Sequence, residues 1–330
     1  MKQLTIVTTT FNSCRYLSHY LANVLDLDNR ETLQVILVMN MPDRAEKEMV
    51  ARFAEQYPGL LHLMELDHRE TISASLNRGL AHADTPFVAL WDVDDVRLRD
   101  SFSRQIETLE RYSDADYTYG DFIMVCAQGE REGQYISPAE FDPVEFARGC
   151  HTSPTQLFRT NLLAKTGGFD EQLKSGGDFD FQVRAALNCK FAKTPGLLCY
   201  YTKFPESASA SSNEFQPIER TMIEMRYGIF DKIDYRYVTR AQQYRIGEIC
   251  FDSRWHPIEK FVPDYFTWMI SREHLRPIGI KNFRRAEKQR RIASLKQSAK
   301  LRLRQTLVRA GVFDRLLPLW HRYRSRAIVK

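Results

Sequence analysis

Through its first hundred residues the chain switches back and forth between two hydrophobic periods, and that switching leaves few folds open. Leu4–Thr10 and Leu33–Met39 are short β-branched or apolar runs, suited to strands buried on both faces. Between them Tyr16, Leu17, Tyr20, Leu21, Val24 and Leu25 recur at three- and four-residue spacing, the apolar face of a helix. Asp43–Tyr57 reads as a second helix closed by Pro58-Gly59. Leu60–Leu66 follows as a third strand, Ile72–Ala83 as a third helix and Pro86–Trp91 as a fourth strand. This rhythm predicts βαβ units and an α/β fold with a mostly parallel central sheet flanked by helices. Ligands of such sheets sit beyond the carboxyl ends of the strands, so those ends are where chemistry is expected.

The fourth strand runs into Trp91-Asp92-Val93-Asp94-Asp95. Carboxylates this crowded repel one another, and a hard divalent cation with phosphate oxygens would relieve them. In isolation the segment fits a solvated acidic turn or a cap on a helix over Arg97–Leu109 equally well; its place at a strand's carboxyl end favours the metal. Farther on, Gly176-Gly177 leads into Asp178-Phe179-Asp180-Phe181 and a helix bearing Val183, Ala186 and Leu187 on one face. Asp178 at that helix's start fits both a capping residue and a general base that takes a proton from an acceptor hydroxyl. Local sequence does not separate the two.

The whole-chain charge of +5 conceals two regions. Residues 281–330 hold sixteen Lys and Arg against Glu287 and Asp314, a charge of +14, so residues 1–280 carry −9. In the basic region Ile292, Leu295, Ala299, Leu303 and Leu307 fall at helical intervals, and Leu316, Leu317, Leu319 and Trp320 add an apolar set. This is the pattern of an amphipathic helix lying in the plane of an anionic membrane. A solvated helix capping the domain and nucleic-acid contact are the rival readings, and no known nucleic-acid module accompanies the charge. The first residues lack the apolar stretch of a signal peptide, and no run reaches the ~18 apolar residues of a spanning helix. Six scattered cysteines without a Cys-x-x-Cys pair argue against structural zinc and a disulfide framework. The expected setting is cytoplasmic, peripheral at the inner face of a membrane.

Taken together, the motifs resemble family 2 glycosyltransferases, whose nucleotide-sugar domain has the GT-A fold. Ile6-Val7-Thr8-Thr9-Thr10-Phe11-Asn12 is similar to the family's opening strand and loop, and Ser73–Leu80 to its "ARNxGL" helix. Phe87–Asp95 is similar to its metal-binding strand end, and Gly167–Glu171 with Gly177–Asp180 to its acceptor-side turn and catalytic helix. The pieces occur in the family's order across roughly residues 4–210.

The resemblance implies an inverting transfer from a nucleotide-diphosphate sugar, of the UDP type, to a hydroxyl of a glycan or lipid-linked acceptor. Asp178 is then the base, and Thr8, Thr9, Asn12, Asn40, Asn77, Asp92 and Asp94 contact the donor. Asp94 and Asp95 hold Mn²⁺ or Mg²⁺, which would neutralise the diphosphate as a Lewis acid. His151 and Asp180 lie on the acceptor side. The resemblance also implies an organisation of 1–212 as the catalytic domain, 213–280 as a helical extension and 281–330 as the basic tail. The many aromatics of the extension complete the core or form a self-association surface, which leaves a homo-oligomer open.

Three departures stand out. Met39-Asn40-Met41-Pro42 replaces the family's "DDGS", Gly177 replaces a Glu before the base, and Phe204 replaces a His in the segment Tyr201–Ser209. They motivate the alternative of a non-catalytic membrane or assembly protein on a degenerate scaffold. A sugar-1-phosphate nucleotidyltransferase would want a Gly-rich phosphate loop, and Thr8–Cys14 contains no glycine.

Overall fold

The computed structural model describes residues 2–203, 214–229 and 236–265, with Ile292, Leu295, Ala299 and Thr306 as single positions. The chain divides into two compact units, Met1–Glu273 and His274–Lys330. The basic amphipathic tail, Phe204 and its neighbouring serines lie outside the described stretches.

The first unit opens with β1 (Leu4–Thr10), α1 (Cys14–Asp26), β2 (Leu33–Asn40), α2 (Arg44–Gln56), β3 (Leu61–Leu66), α3 (Ile72–Leu80) and β4 (Phe87–Leu90). These follow the sequence periods within a residue or three at each end. A two-residue strand β5 (Val96–Arg97), α4 (Ser101–Arg111), β6 (Ala115–Val125), β7 (Gln134–Ile136), α5 (Pro143–Arg148) and β8 (Leu157–Arg159) come next. Then follow α6 (Leu162–Thr166), α7 (Gly177–Asn188), β9 (Lys190–Thr202), α8 (Phe215–Tyr227), α9 (Val238–Ala241) and a hairpin of β10 (Glu248–Phe251) and β11 (Arg254–Pro257).

Among the described residues, nine strands form one sheet in the order β3-β2-β1-β4-β8-β6-β9-β5, with β7 beside β6. β3, β2, β1 and β4 run parallel, so their carboxyl ends share one edge. β8 is antiparallel to β4 and to β6, whereas β6 and β9 are again parallel. Alternate side chains of β1 face opposite cores. Leu4 and Ile6 join Leu17, Val24, Val50 and Phe102 of α1, α2 and α4 on one face. Val7 joins Leu80, Phe158, Phe169 and Phe181 on the other, under α3, α6 and α7. Trp91 packs 4.6 Å from the Tyr20 ring and 5.8 Å from Phe102, in the core.

Two expectations shift. The helix expected from Arg97 begins at Ser101, because Val96 and Arg97 pair with Tyr200 and Cys199 of β9 instead. The extension is also not wholly helical. Asp252 and Ser253, at φ of 52° and 57°, turn the chain between β10 and β11 as a two-residue hairpin loop requires. Helix α8 sends Glu219 and Arg226, both fully buried, into the packing around α7.

Arg226 is the hub of that packing. Its guanidinium lies 2.8 Å from Asp170 and 2.8 Å from Asp180, while Arg184 meets Asp180 at 2.9 Å and Tyr227 donates to it at 3.0 Å. All four charged side chains are excluded from water. Burial pushes the Asp180 carboxyl up, but Arg184 and Arg226 outweigh it and hold the group below the ordinary carboxylate range. Asp180 is therefore a structural anchor and not the acceptor-side residue expected above. Its contribution to stability is present above the unfolded carboxylate value and is lost only as pH falls through the lowered folded one. Asp180→Ala takes from Arg184 its carboxylate partner and leaves Arg226 with Asp170 alone, and is expected to cost about 3–5 kcal/mol, read as a lower urea midpoint with an unchanged slope.

Candidate functional site: an acidic cleft at the strand ends

A cleft of about 960 Å³ opens where β1, β2 and β4 end. Thr9 near the end of β1, Asn12 just after it, Asn40 at the end of β2, Asp92 and Asp94 after β4, and Asp178 on α7 all line it. The parallel register brings these segments together: Val7 of β1 sits beside Leu90 of β4, and Thr10 beside Met39 of β2. At this edge the backbone departs from strand geometry. Asn12 and Met41 adopt φ of 51° and 49°, the left-handed region, directly after β1 and β2. Met41 stands where the resembling family carries Gly, and the glycine-like backbone persists without the glycine. Such strain recurs where a chain must turn sharply at a site.

The loop geometry is fixed from behind. Asp43 caps α2 by accepting from Glu46 N at 2.8 Å, and Glu46 answers by accepting from Asp43 N at 2.9 Å. The same Glu46 accepts from Ser13 N at 2.6 Å, tying the loop after β1 to the start of α2. On the opposite wall Gln182 of α7 accepts from His151 N and Thr152 N, at 2.8 and 3.1 Å, and donates to Gly149 O at 2.7 Å. That holds Cys150 against Asp178, with the thiol 3.6 Å from Oδ2.

Four carboxylates at the site are all displaced upward. Asp92 is open to water at the cleft, yet desolvation by the surrounding protein, then the charges of Asp94 and Asp178, push it up to about 7. Burial raises Asp94, against the opposing charge of Arg15. Burial followed by the charges of Asp92 and Asp94 carries Asp95 well above its ordinary value. Asp178 is raised by burial and by the charge of Glu219, although the backbone N–H of Phe179 donates to it at 2.8 Å. Carboxylates crowded and raised in this way are the electrostatic signature of a functional site.

The donor chemistry fits a hard divalent cation. Asp92 and Asp94 offer oxygen to the cleft, and Asp95 Oδ2 is buried without a hydrogen-bond partner among the described residues. No three acidic, histidine or cysteine side chains there form a complete ligand set. Mg²⁺ and Mn²⁺ tolerate this, because water and substrate phosphates ordinarily complete their shells.

Several expected residues stand elsewhere. Asp95 does not line the cleft: its Oδ1 accepts from Thr202 N at 2.8 Å, anchoring the end of β9 to the acidic turn. Thr8 is buried beneath, bonded to Tyr20 Oη and Trp91 O at 2.7 Å each. Asn77 holds the turn after α6, donating to Phe169 O at 2.8 Å and accepting from Phe169 N at 2.8 Å. Asn40 borders the cleft, yet its amide is engaged with Ser75 Oγ at 2.9 Å and Glu70 N at 3.1 Å, which leaves less of it for a base edge. His151 is turned toward α5, with Nε2 3.2 Å from Glu145 O and its ring 4.9 Å from Phe146. Arg78 of α3 pairs with Glu70 and does not line the cleft.

Other cleft residues carried no local signal. Arg69 lies over the exposed Phe11 ring at 4.1 Å, and Lys174 over Phe215 at 4.2 Å. Glu219 reaches the turn before Asp178 from a helix about forty residues away.

With this geometry in hand, the chain can be set beside known proteins. The model of the family described as glycosyl transferase family 2 matches residues 5–167. Among solved structures, the 1–349 piece of S. aureus TarS in complex with UDP-GlcNAc is similar at a TM-score of 0.58 and 18% identity, over 84% of this chain and 77% of that one. The same piece in complex with UDP gives 0.55 and 17%, over 84% and 76%. Against the longer S. aureus TarS chain the values are 0.55 and 18%, over 73% of this chain, which spans only 42% of that protein's length. At such identities the likeness is one of fold. No curated protein matches by sequence. The mixed α/β sheet and the strand-end cleft agree with that match: residues 5–167 are the stretch of this chain that is similar to glycosyl transferase family 2.

Proposed function

We propose that this protein is a nucleotide-sugar glycosyltransferase that moves a sugar, with inversion, to a hydroxyl of a glycan or lipid-linked acceptor. The observation that carries this reading is the meeting of Asp92, Asp94 and Asp178 in one cleft, although they come from a strand end and a distant helix start. A UDP-sugar is the favoured donor, since TarS was solved with UDP-GlcNAc and with UDP.

Asp92 and Asp94 would hold Mn²⁺ or Mg²⁺ with the donor's diphosphate, and the cation when bound supplies Lewis-acid neutralisation of the leaving group. Thr9 and Asn12 border the nucleotide end of the cleft. Asp178, on the opposite wall, takes the proton of the acceptor hydroxyl as that oxygen bonds to the anomeric carbon. The bond from that carbon to the diphosphate oxygen breaks on the far side, releasing the nucleoside diphosphate. One displacement inverts the centre, so a single base suffices. A carboxyl raised by its surroundings is better matched to proton abstraction near neutral pH than an ordinary aspartate.

Nucleotide release from UDP-, GDP- and dTDP-sugars, with Mn²⁺ and with chelator, tests the reading. At least one donor should turn over, and Asp178→Asn should lower kcat by roughly 10²–10⁴-fold while nucleotide binding persists. Absence of turnover with every donor would sink it. The pH profile carries a sign: Asp178 must be ionised, and its value lies above the ordinary one. The acid limb of kcat should therefore fall above the ~3.9 of a free aspartate, with activity lost as pH drops through it.

The +14 of residues 281–330 supports a place beside an anionic membrane. No described helix is long and apolar enough to cross one. The full chain should co-sediment with vesicles containing anionic lipid, weakly at high salt, and a chain lacking residues 281–330 should not. Equal sedimentation of both would refute the placement, and salt-sensitive duplex affinity without vesicle binding would point to nucleic acid instead.

A further inference from the structure

The turn that delivers Asp178 has a feature that capping alone leaves unexplained. Helix α7 begins at Gly177 with Gly176 as its N-cap, which has no side chain to accept from the free N–H groups of the first turn. What holds the chain here is a carboxylate of another helix, bonded to the three residues that lead into that turn. Glu219 of α8 accepts from Lys174 N at 2.8 Å through Oε1, and from Ser175 N and Gly176 N at 2.7 and 2.8 Å through Oε2. Tyr244 Oη donates to Oε1 at 3.0 Å. This fully buried carboxylate has no Lys or Arg ion-pair partner among those described; three consecutive backbone N–H groups and one phenol balance it. On the other side, Gly177 touches α3 so closely that a Cβ would overlap Ser73 Oγ. A larger residue, such as the family's Glu, cannot stand there without moving Ser73 or α7. The chain from 174 to 177 is thus pinned by α8 on one side and α3 on the other, one residue before Asp178.

We propose that Glu219 is a positioning residue for the transfer: it sets the depth at which Asp178 enters the cleft. The carboxylate that Gly177 cannot carry is supplied from α8 instead. This rests on the glycosyltransferase reading above, but concerns a residue outside the stretch that the family model matches. Gln at 219 would keep the volume but turn an amide N–H₂ toward backbone N–H groups, driving the turn out of place. Asp would keep the charge and shorten the reach by one methylene. A displacement near 1 Å of a reacting group is enough to cost about 10²-fold in rate. Substrate contacts on the nucleotide side, at Thr9, Asn12 and Asp92, come from other segments and stay as they were.

The test uses the full chain as wild type, Glu219→Gln and Glu219→Asp. UDP with Mn²⁺ is the calorimetric probe, and nucleotide release from the donor panel is the rate measurement. Expected is a fall in kcat of roughly 10–100-fold, with the stoichiometry and Kd for UDP unchanged within error. A loss of rate that merely follows a loss of binding stoichiometry would mean that Glu219 only helps the chain fold, and would overturn the proposal. So would unchanged kcat. Should Glu219→Gln fail to fold, Glu219→Asp is read by the same two criteria; failure of both to fold also makes the residue structural and overturns it. If wild type binds UDP but releases nucleotide from no donor, the functional reading has failed, and that outcome is distinct from wild-type turnover unaffected at position 219.

Discussion

A buried positive charge governs how the second half of this domain is assembled. Arg226 has no access to water, so its guanidinium must find acceptors within the protein, and it finds Asp170 and Asp180. Asp170 belongs to the turn after α6, Asp180 to α7 and Arg226 to α8, so satisfying one cation locks three segments together. Removing either partner would strand a charge in a medium that solvates it poorly, which is why the arrangement specifies a single packing. Glu219 stands two turns before Arg226 on the same helix, and its grip on residues 174–176 depends on α8 being held in that place.

The donor half of the site rests on a different constraint. Parallel pairing of β1 with β2 and β4 delivers three chain ends to one edge, where backbone N–H and C=O groups and short polar side chains are left to face a ligand. Asp92 and Asp94 are pressed into that edge by the buried Trp91 and Val93 beside them, and Asp95 is spent on holding β9. The electrostatic tension of the cleft follows from this placement. Desolvation raises these acids, and the charges of Asp94 and Asp178 raise Asp92 further, as those of Asp92 and Asp94 raise Asp95. A cation and a diphosphate complement such a cleft better than water does.

Legibility in the sequence divided along the same line. The strands and helices of the first hundred residues were readable because each is specified by its own period, and the acidic turn because its residues are adjacent. Among the expected donor residues, Thr9, Asn12, Asn40, Asp92 and Asp94 do border the cleft. Thr8 and Asn77 do not, because a short polar side chain near a strand end serves the ligand or the loop behind it according to which face of the strand or helix it occupies. The cap-or-base ambiguity of Asp178 was likewise beyond local sequence, and Asp180, two residues later, proved to be an anchor only once Arg184 and Arg226 were seen beside it.

By itself, then, the sequence determined the order and type of the elements in the first hundred residues, the alternation that forces a covered parallel sheet there, the position of the acidic strand end and the separation of a −9 body from a +14 tail. These follow from interactions between near neighbours along the chain. Tertiary structure decided which acids face the cleft, which are consumed by ion pairs, and that Glu219 holds the residues leading into α7. Those outcomes depend on contacts between residues far apart in the chain, such as Gly176 with Glu219, 43 positions away, and Asp95 with Thr202, 107 positions away. A charged side chain's role is set by the partner that compensates it, and across such distances only the folded chain brings the partner into reach.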